Sequence, residues 1–373
     1  MSEPIRILHV LHGMDMAGTE TLLMNIYRNI NRENVQFDFA VCAGRECAYD
    51  KEILSMGGII IPYPRYKGTN HFTYVKWWNE FFKTHLEYKI IHGHIGSTAA
   101  IYLSIAKKHE RYTIAHSHST HTGQINMHDI LYSIYTYPTR YIADFFFGCS
   151  KKALVDRYGK KVAEDSGKSK VFNNAIDPEK FIYNEATRRL VRAEYSLHDD
   201  VIVIGTVGRL SPQKNPFEII RIVDDLVKRG LNFKFLWIGK GELEIEIKAE
   251  IKRKKLEDYF IMAGTRPDIY NVLQAMDIFV FPSVWEGLGI SCVEAQAAGL
   301  PTLCSNTIPI EAKVTCGCKF LPLNDTDCWV KEIINLIGYK RTNCYQQVLE
   351  AGYDIKDTSL WLEKYYLQIY KNI

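Results

Sequence analysis

The chain has 373 residues, 47% of them hydrophobic, which is more than one domain usually holds and enough for two cores. With 46 basic against 43 acidic residues the formal net charge is +3, which argues against broad nucleic-acid binding and leaves only a local basic face open. The 9 cysteines are scattered, with only Cys316 and Cys318 close together, so they do not make a zinc finger and read as reduced thiols of a cytoplasmic protein.

The opening stretch MSEPIRILHVLHG runs straight into a strand-like segment, without the basic start, apolar middle and small-residue cleavage site of a secretory signal. No apolar run is long enough to span a bilayer. IRILHVL, VQFDFAVC, GIIIPY, KIIHGH, RYTIAHSH and DFFFGCS read as strands, with helical candidates such as GTETLLMNIYRNI and STAAIYLSIAKKH between them. Several runs are apolar on both faces, as strands covered by helices on each side require. The polar segment NNAIDPEKFIYNEATRRLVRAEYSLHDD breaks this rhythm, and a second set comes after it: VIVIGTVG, FKFLWIG, YFIMAG, DIFVFPS and LPTLCS.

Strands alternating with helices predict parallel sheets built from βαβ units. The expected architecture is α/β, with two doubly wound Rossmann-like domains whose strand ends face a central cleft. The expected division is 1–170 and 171–355, followed by a C-terminal helix over 356–373. That last helix, DTSLWLEKYYLQIY, opens on plausible N-cap residues Asp357 and Thr358, and its apolar side chains require it to pack on something substantial. In NHFTYVKWWNEFFKTHLEYK the apolar positions 75, 78, 82 and 86 make a core-facing stripe of a crossover helix, preferred to an interfacial membrane helix. The basic segment from Lys151 to Lys170 reads as a solvated face, with anionic lipid as the alternative.

In open α/β sheets ligands bind at the carboxyl ends of the strands, so the strand-to-helix loops are where chemistry is expected. After the first strand, Gly13 and Gly18 bracket a loop entering a helix, whose N–H groups and positive dipole end suit a phosphate. The spacing fits neither the dinucleotide nor the Walker pattern, and an ordinary turn explains it as well. TVGRLSPQKNPFEII places Arg209 at a strand end and Lys214 just before a helix, a cationic pair suited to a diphosphate. FLWIGKGELE supplies Gly239 and Gly241, but Glu244 stands where a dinucleotide fingerprint needs a third glycine, and AGTRPDIYNVL adds Arg266.

PSVWEGLGISCVEAQAAGLP holds two carboxylates eight residues apart, Glu286 and Glu294. Gly287 and Gly289 allow a tight turn into a helix from about Ile290 to Ala298, ended by Gly299 with Pro301 beyond. Glu286 then lies on the loop and Glu294 a turn into the helix. A buried helical carboxylate needs a donor, such as a pair of sugar hydroxyls. A capping role for Glu286 and a surface place for Glu294 remain equally open from spacing alone.

The same stretch resembles the E-x7-E signature of retaining glycosyltransferases of the GT-B fold, family 4, of the bacterial exopolysaccharide and capsule kind. The resemblance extends over almost the whole chain through GMDMAGTE, IAHSHST, FGCSKKA, VFNNAIDPEKF, GRLSPQKN and AGTRPDI. It implies that Glu294 binds the ribose hydroxyls of a nucleotide-sugar and Glu286 the sugar hydroxyls, while Arg209 and Lys214 neutralise the diphosphate. It further implies phosphate contact near Gly18 and a hydrogen bond from His118, in preference to His116, to the sugar near the reacting carbon. Gly239, Arg266, Gly287, Leu288, Gly289 and Ile290 complete the implied donor site, with Arg266 near the base, and the resemblance implies that the C-terminal helix over 356–373 crosses back onto the first domain. Ala17-Gly18 departs from the paired glycines common in the family's first loop, and Asn174-Ala175 from its Asn-Gly.

The expected function is transfer of a sugar from a nucleoside diphosphate, UDP in preference to GDP, to a glycan or lipid-linked acceptor. The resemblance implies no cofactor and no metal, which fits the residues, since no DxD-type acidic pair stands out. The expected location is cytoplasmic, with peripheral contact at the inner membrane as a secondary expectation. A sugar-nucleotide epimerase of the same layout and a catalytically silent nucleotide-sugar-binding subunit are the alternatives. A nicotinamide-dependent dehydrogenase is disfavoured by the missing glycine fingerprint.

Overall fold

A computed structural model describes residues 3–120 and 133–373. The chain forms two compact units, residues 1–176 with 354–373, and residues 177–353. The first unit continues past the expected boundary at 170 because β7 (Ser169–Val171) is the last strand of its sheet. Strands this short carry little pattern, and Lys170 faces solvent within it.

The remaining strands of the first unit are β1 (Ile5–Val10), β2 (Val35–Val41), β3 (Ile60–Pro62), β4 (Ile90–Gly93), β5 (Tyr112–Ser117) and β6 (Phe145–Gly148). Every pairing is parallel, in the order β3-β2-β1-β4-β5-β6-β7. Ile7, Leu8, Ile90, Ile91 and Ile114 are fully buried, which is why these runs lack the polar alternation of a half-exposed sheet. The strand order reverses between β1 and β4, and the crevice beyond that point is where an open sheet receives ligands.

The His71–Thr84 helix buries Tyr74, Trp78, Phe81 and Phe82, and Trp78 stacks on Phe82 with ring centroids 5.3 Å apart. The aromatic segment therefore serves the core. The stripe is rotated from the expected one: the helix ends at Thr84, which leaves Leu86 65% exposed and gives its place to Phe81.

The C-terminal helix, Ile355–Asn372, belongs to the first unit and packs against the Gly18–Asn29 helix and β2. Its cap is Asp354, whose carboxylate accepts from Lys356 N, so the expected caps Asp357 and Thr358 lie inside the first turn. Glu363 fixes the docking by accepting from Asn31 N at 3.1 Å and Asn34 Nδ2 at 2.9 Å.

The second unit carries β8 (Ile202–Val207), β9 (Phe233–Ile238), β10 (Phe260–Gly264), β11 (Ile278–Phe281), β12 (Thr302–Ser305) and β13 (Cys318–Leu321). They are again all parallel, in the order β10-β9-β8-β11-β12-β13, with the reversal between β8 and β11. The polar segment before β8 folds as the Glu185–Glu194 helix, tied to this unit by Arg188 on Asp277 at 2.7 Å and by the buried Arg192 on Ala275 O, His198 O and Val201 O. Among the described residues no helix is long and apolar enough to cross a membrane.

Candidate active site

The loops after β8 and β11 leave neighbouring strands at the reversal point of the second sheet, so the two loops lie side by side. After β8 the chain makes a short 3-10 turn, Pro212–Lys214, and Asn215, in the left-handed region at φ +51°, starts the Pro216–Lys228 helix. Two hydrogen bonds join this turn to the loop after β11: Val284 N donates to Gln213 O at 2.8 Å, and Gln213 Nε2 donates to Trp285 O at 2.9 Å. The clasp brings Lys214 Nζ to 2.5 Å from Glu286 Oε1 and 4.5 Å from the Phe281 ring centroid. Both partners are largely withdrawn from water, with side-chain exposures of 17% and 8%. Arg209, on the same loop, is exposed, and its guanidinium has no partner among the described residues.

Gly289 lies at φ +93° as N-cap of the Ile290–Ala297 helix and lets the chain turn there without steric cost. A Cβ on it would sit 3.2 Å from the Phe281 ring, so the glycine also admits close approach to β11. The helix ends at Gly299, φ +71°, in the expected place. Leu288 is buried beside it, and the first turn from Ile290 has no side-chain cap. Glu294 has no hydrogen-bond or ion-pair partner among the described residues. Burial pushes its carboxyl up to about 7. The pair of acids is thus asymmetric: Glu286 is matched by an ammonium, and Glu294 is desolvated and unmatched.

Gly239 and Gly241 have a packing reason of their own. A Cβ on Gly239 would lie 2.0 Å from Gly208 O, and one on Gly241 2.3 Å from Leu210 O, so both glycines are needed for the β9 loop to lie against the Arg209 loop. Arg266 is held inside the second unit: Nε donates to Asp268 Oδ1 at 2.8 Å, Nη2 to Asp268 Oδ2 at 3.0 Å, and Nη1 to Tyr195 OH at 3.1 Å and to Glu194. Its guanidinium therefore braces the β10 loop against the Glu185–Glu194 helix, and the loop backbone is what remains for a ligand.

In the first unit, Gly18 opens the Gly18–Asn29 helix after Ala17, which provides no side-chain cap, and the space around Gly18 is open to 4 Å. At the reversal point of this sheet stand five imidazoles from three adjacent strands: His9 on β1, His92 and His94 on and after β4, His116 and His118 on and after β5. Residues two apart along a strand share a face, so the HGH and HSH runs each aim two rings the same way. His118 Nε2 lies 2.8 Å from His94 Nδ1, and His94 Nε2 lies 3.0 Å from His9 Nδ1. A second chain runs from Tyr366 OH to His92 Nδ1 at 2.6 Å and from His92 Nε2 to His116 Nδ1 at 3.2 Å. Burial lowers His9 and His118 to about 3 and His92, His94 and His116 well below the ordinary value, so all five rings are neutral at pH 7.

Sequence reasoning singles out His118 and His116 and misses His9, His92, His94, Tyr366 and Gln213. The signal for two of them is present, since HGH repeats the H-x-H spacing of HSH at the end of the preceding strand.

Residues 187–320 match the family of glycosyl transferases group 1. Over 359 residues the chain is 32% identical to EpsF of Bacillus subtilis (strain 168), named as a glycosyltransferase, covering 94% of this chain and 93% of that protein. It is 31% identical over 189 residues, 49% of each chain, to a UDP-Gal:alpha-D-GlcNAc-diphosphoundecaprenol alpha-1,3-galactosyltransferase of Escherichia coli. Anabaena Alr3699/HepE, solved with UDP and glucose, shares the fold at a TM-score of 0.78 with 16% identity, over 98% of this chain and 100% of that one. With two parallel Rossmann-like sheets and a full-length relative at this identity, the chain belongs to the group 1 glycosyltransferases of GT-B type.

Proposed function

We propose that this glycosyltransferase moves a sugar from a nucleoside diphosphate, UDP in preference to GDP, to a glycan or lipid-linked acceptor, with retention of anomeric configuration and without a metal. The product belongs to exopolysaccharide, capsule or another cell-envelope polysaccharide, and a lipid-linked acceptor brings the enzyme to the cytoplasmic face of the membrane. The observation that carries this reading is the grouping at the β8–β11 reversal: the Lys214–Glu286 pair at 2.5 Å, Arg209 on the same loop as Lys214 with no partner among the described residues, and the desolvated Glu294 on the helix that follows Glu286.

Arg209 and Lys214 meet the two charges of the diphosphate, and the charge that builds on the leaving group as the glycosidic bond breaks falls on the same two cations. Glu286 accepts from hydroxyls of the transferred sugar while retaining its contact with Lys214, which couples sugar position to leaving-group charge. Glu294 accepts from the two ribose hydroxyls, which satisfies a carboxylate that otherwise lacks a donor. Backbone N–H groups near Gly18 and from Gly287 to Ile290 contact phosphate and sugar, and His118 hydrogen-bonds the sugar near the reacting carbon. The UDP and glucose bound to the Anabaena protein and the UDP-galactose and polyprenyl diphosphate in the Escherichia coli relative's name support this donor and acceptor class.

Calorimetric titration with UDP, GDP and ADP tests the donor base, and a screen of the corresponding sugars for slow hydrolysis identifies the donor. The released sugar's anomeric form, read by proton NMR at early times, is expected to match the donor's. An inverted anomer sinks retention, and failure to bind any of the three nucleotides sinks the assignment of the site.

A further inference from the structure

Each link of the chain His9 Nδ1···His94 Nε2 and His94 Nδ1···His118 Nε2 needs one proton. A neutral imidazole carries one N–H in all, and which nitrogen holds it is fixed by what the other one bonds. If His9 donates to His94, then His94 Nε2 is bare, its proton is on Nδ1, and it must donate to His118 Nε2. His118 then carries its proton on Nδ1. If donation runs the other way, all three rings carry the proton on Nε2. The geometry therefore allows two states, and in each the three rings share one tautomer.

The ends of the chain choose between them. His9 Nε2 is buried without a partner among the described residues, and the His9 ring lies 4.2 Å from Phe37 and 5.6 Å from Phe39, centroid to centroid. A proton on that nitrogen would be a donor left permanently unsatisfied among phenylalanines, the costlier kind of orphan. At the other end His118 Nδ1 is also buried without a partner among the described residues, but the His118 residue itself is partly exposed where His9 is fully buried. A donor there is satisfied as soon as a ligand oxygen arrives. The closed apolar end also means that no proton passes through the chain, so the state persists.

We propose that His94 and His9 are positioning residues that lock His118 in the Nδ1–H tautomer, so that it presents a hydrogen-bond donor to the substrate. This rests on the reading that His118 touches the transferred sugar. A metal cage is the rival use of these rings, since one nitrogen each of His94, His116 and His118 lie within 4.8 Å of one another, as do one each of His9, His92 and His94. But His116 and His118 stack at 3.9 Å with 29° between planes, and His92 and His94 at 4.3 Å with 24°, which sets their in-plane lone pairs side by side instead of converging on one ion.

The test is nitrogen NMR of the full chain labelled at histidine, where protonated and bare ring nitrogens are resolved, on wild type, His94→Phe and His9→Phe. His9, His94 and His118 are expected to share the Nδ1–H form in wild type, and His118 is expected to become a mixture of tautomers in both variants. His9→Phe keeps the His94–His118 contact, so it still decides the matter should His94→Phe fold poorly. In His94→Phe, kcat is expected to fall about tenfold, the rate equivalent of one neutral hydrogen bond, with donor KM nearly unchanged. Mixed tautomers in wild type, or a His118 pattern unmoved in both variants, overturn the lock. Full turnover in His118→Ala overturns the reading of His118 and with it the catalytic role given to His94, whatever the spectra show.

Discussion

Replacing Glu294 by glutamine keeps its shape and removes its ionisation, which separates the energetic consequence of burial from its use in binding. A carboxyl raised from the ordinary 4.5 to about 7 costs the folded chain about 3 kcal/mol once ionised. The folded state binds this proton more tightly than the unfolded state, so stability falls as pH rises between 4.5 and about 7. Below that window both states are protonated and the cost is absent; above it the cost is complete. Glu294→Gln should match wild type near the bottom of the window and exceed it by up to about 3 kcal/mol above pH 7 in denaturant unfolding.

Binding runs the opposite way. Ribose hydroxyls donate to the ionised form, of which roughly a tenth is present at pH 6 and nine-tenths at pH 8 for a group titrating near 7. The affinity of wild type for UDP-glucose, whose diphosphate does not titrate in this range, should therefore rise about ninefold from pH 6 to pH 8, with proton release on binding. In Glu294→Gln both the rise and the proton release should vanish. A wild-type affinity flat between pH 6 and 8, or a rise that survives in the variant, refutes the assignment of this carboxylate to the ribose.

Arg209→Ala should cost about 1.5–3 kcal/mol of UDP affinity by calorimetry, the range for a charged hydrogen bond, and no loss would place Arg209 outside the site. Chelator should leave turnover intact, and abolished activity would contradict a metal-free reaction. Gly239→Ala should lose at least about 2 kcal/mol in thermal unfolding, because its Cβ meets Gly208 O at 2.0 Å on a backbone at φ +139°; a tolerated alanine would show that the β9 loop does not press on the Arg209 loop.

What the sequence displays best is whatever a few neighbouring residues decide. Ile278–Phe281 must be apolar on both faces because helices cover both sides, and that shows as an unbroken run. The turn from Glu286 into the Ile290–Ala297 helix is written in Gly289 and Gly299, whose positive φ angles are local requirements. The edge strands β7 and β13 are another matter: three and four residues long, each with an exposed lysine, they exist through pairing with a neighbour rather than through any pattern of their own. Contacts made across the sheet are equally hidden. Lys214 and Glu286 are 72 residues apart, as are Arg266 and Glu194, so neither the ammonium beside the first acid nor the engagement of the arginine is visible in one dimension. The histidine chains need the strand order, since only β1-β4-β5 adjacency brings His9 to His94 and His94 to His118.

Each sheet has polar groups without partners among the described residues near the point where strand order reverses, and the physical reason is the same in each. Elsewhere along the edge, a loop leaving one strand crosses to its neighbour and its helix covers the crevice. At the reversal, the two loops leave in opposite directions, which opens a crevice there. Side chains there can be desolvated by the walls without being matched by them, as Glu294 and His118 Nδ1 are. Such groups weaken the folded chain while no ligand is bound, and a ligand that supplies the missing partner recovers that free energy as affinity. Stability and affinity therefore trade off at single positions: a substitution that relieves an unmatched group stabilises the protein and weakens the donor complex together. Substituting residues that hold the loops, such as Gly239 and Arg266, should lower both.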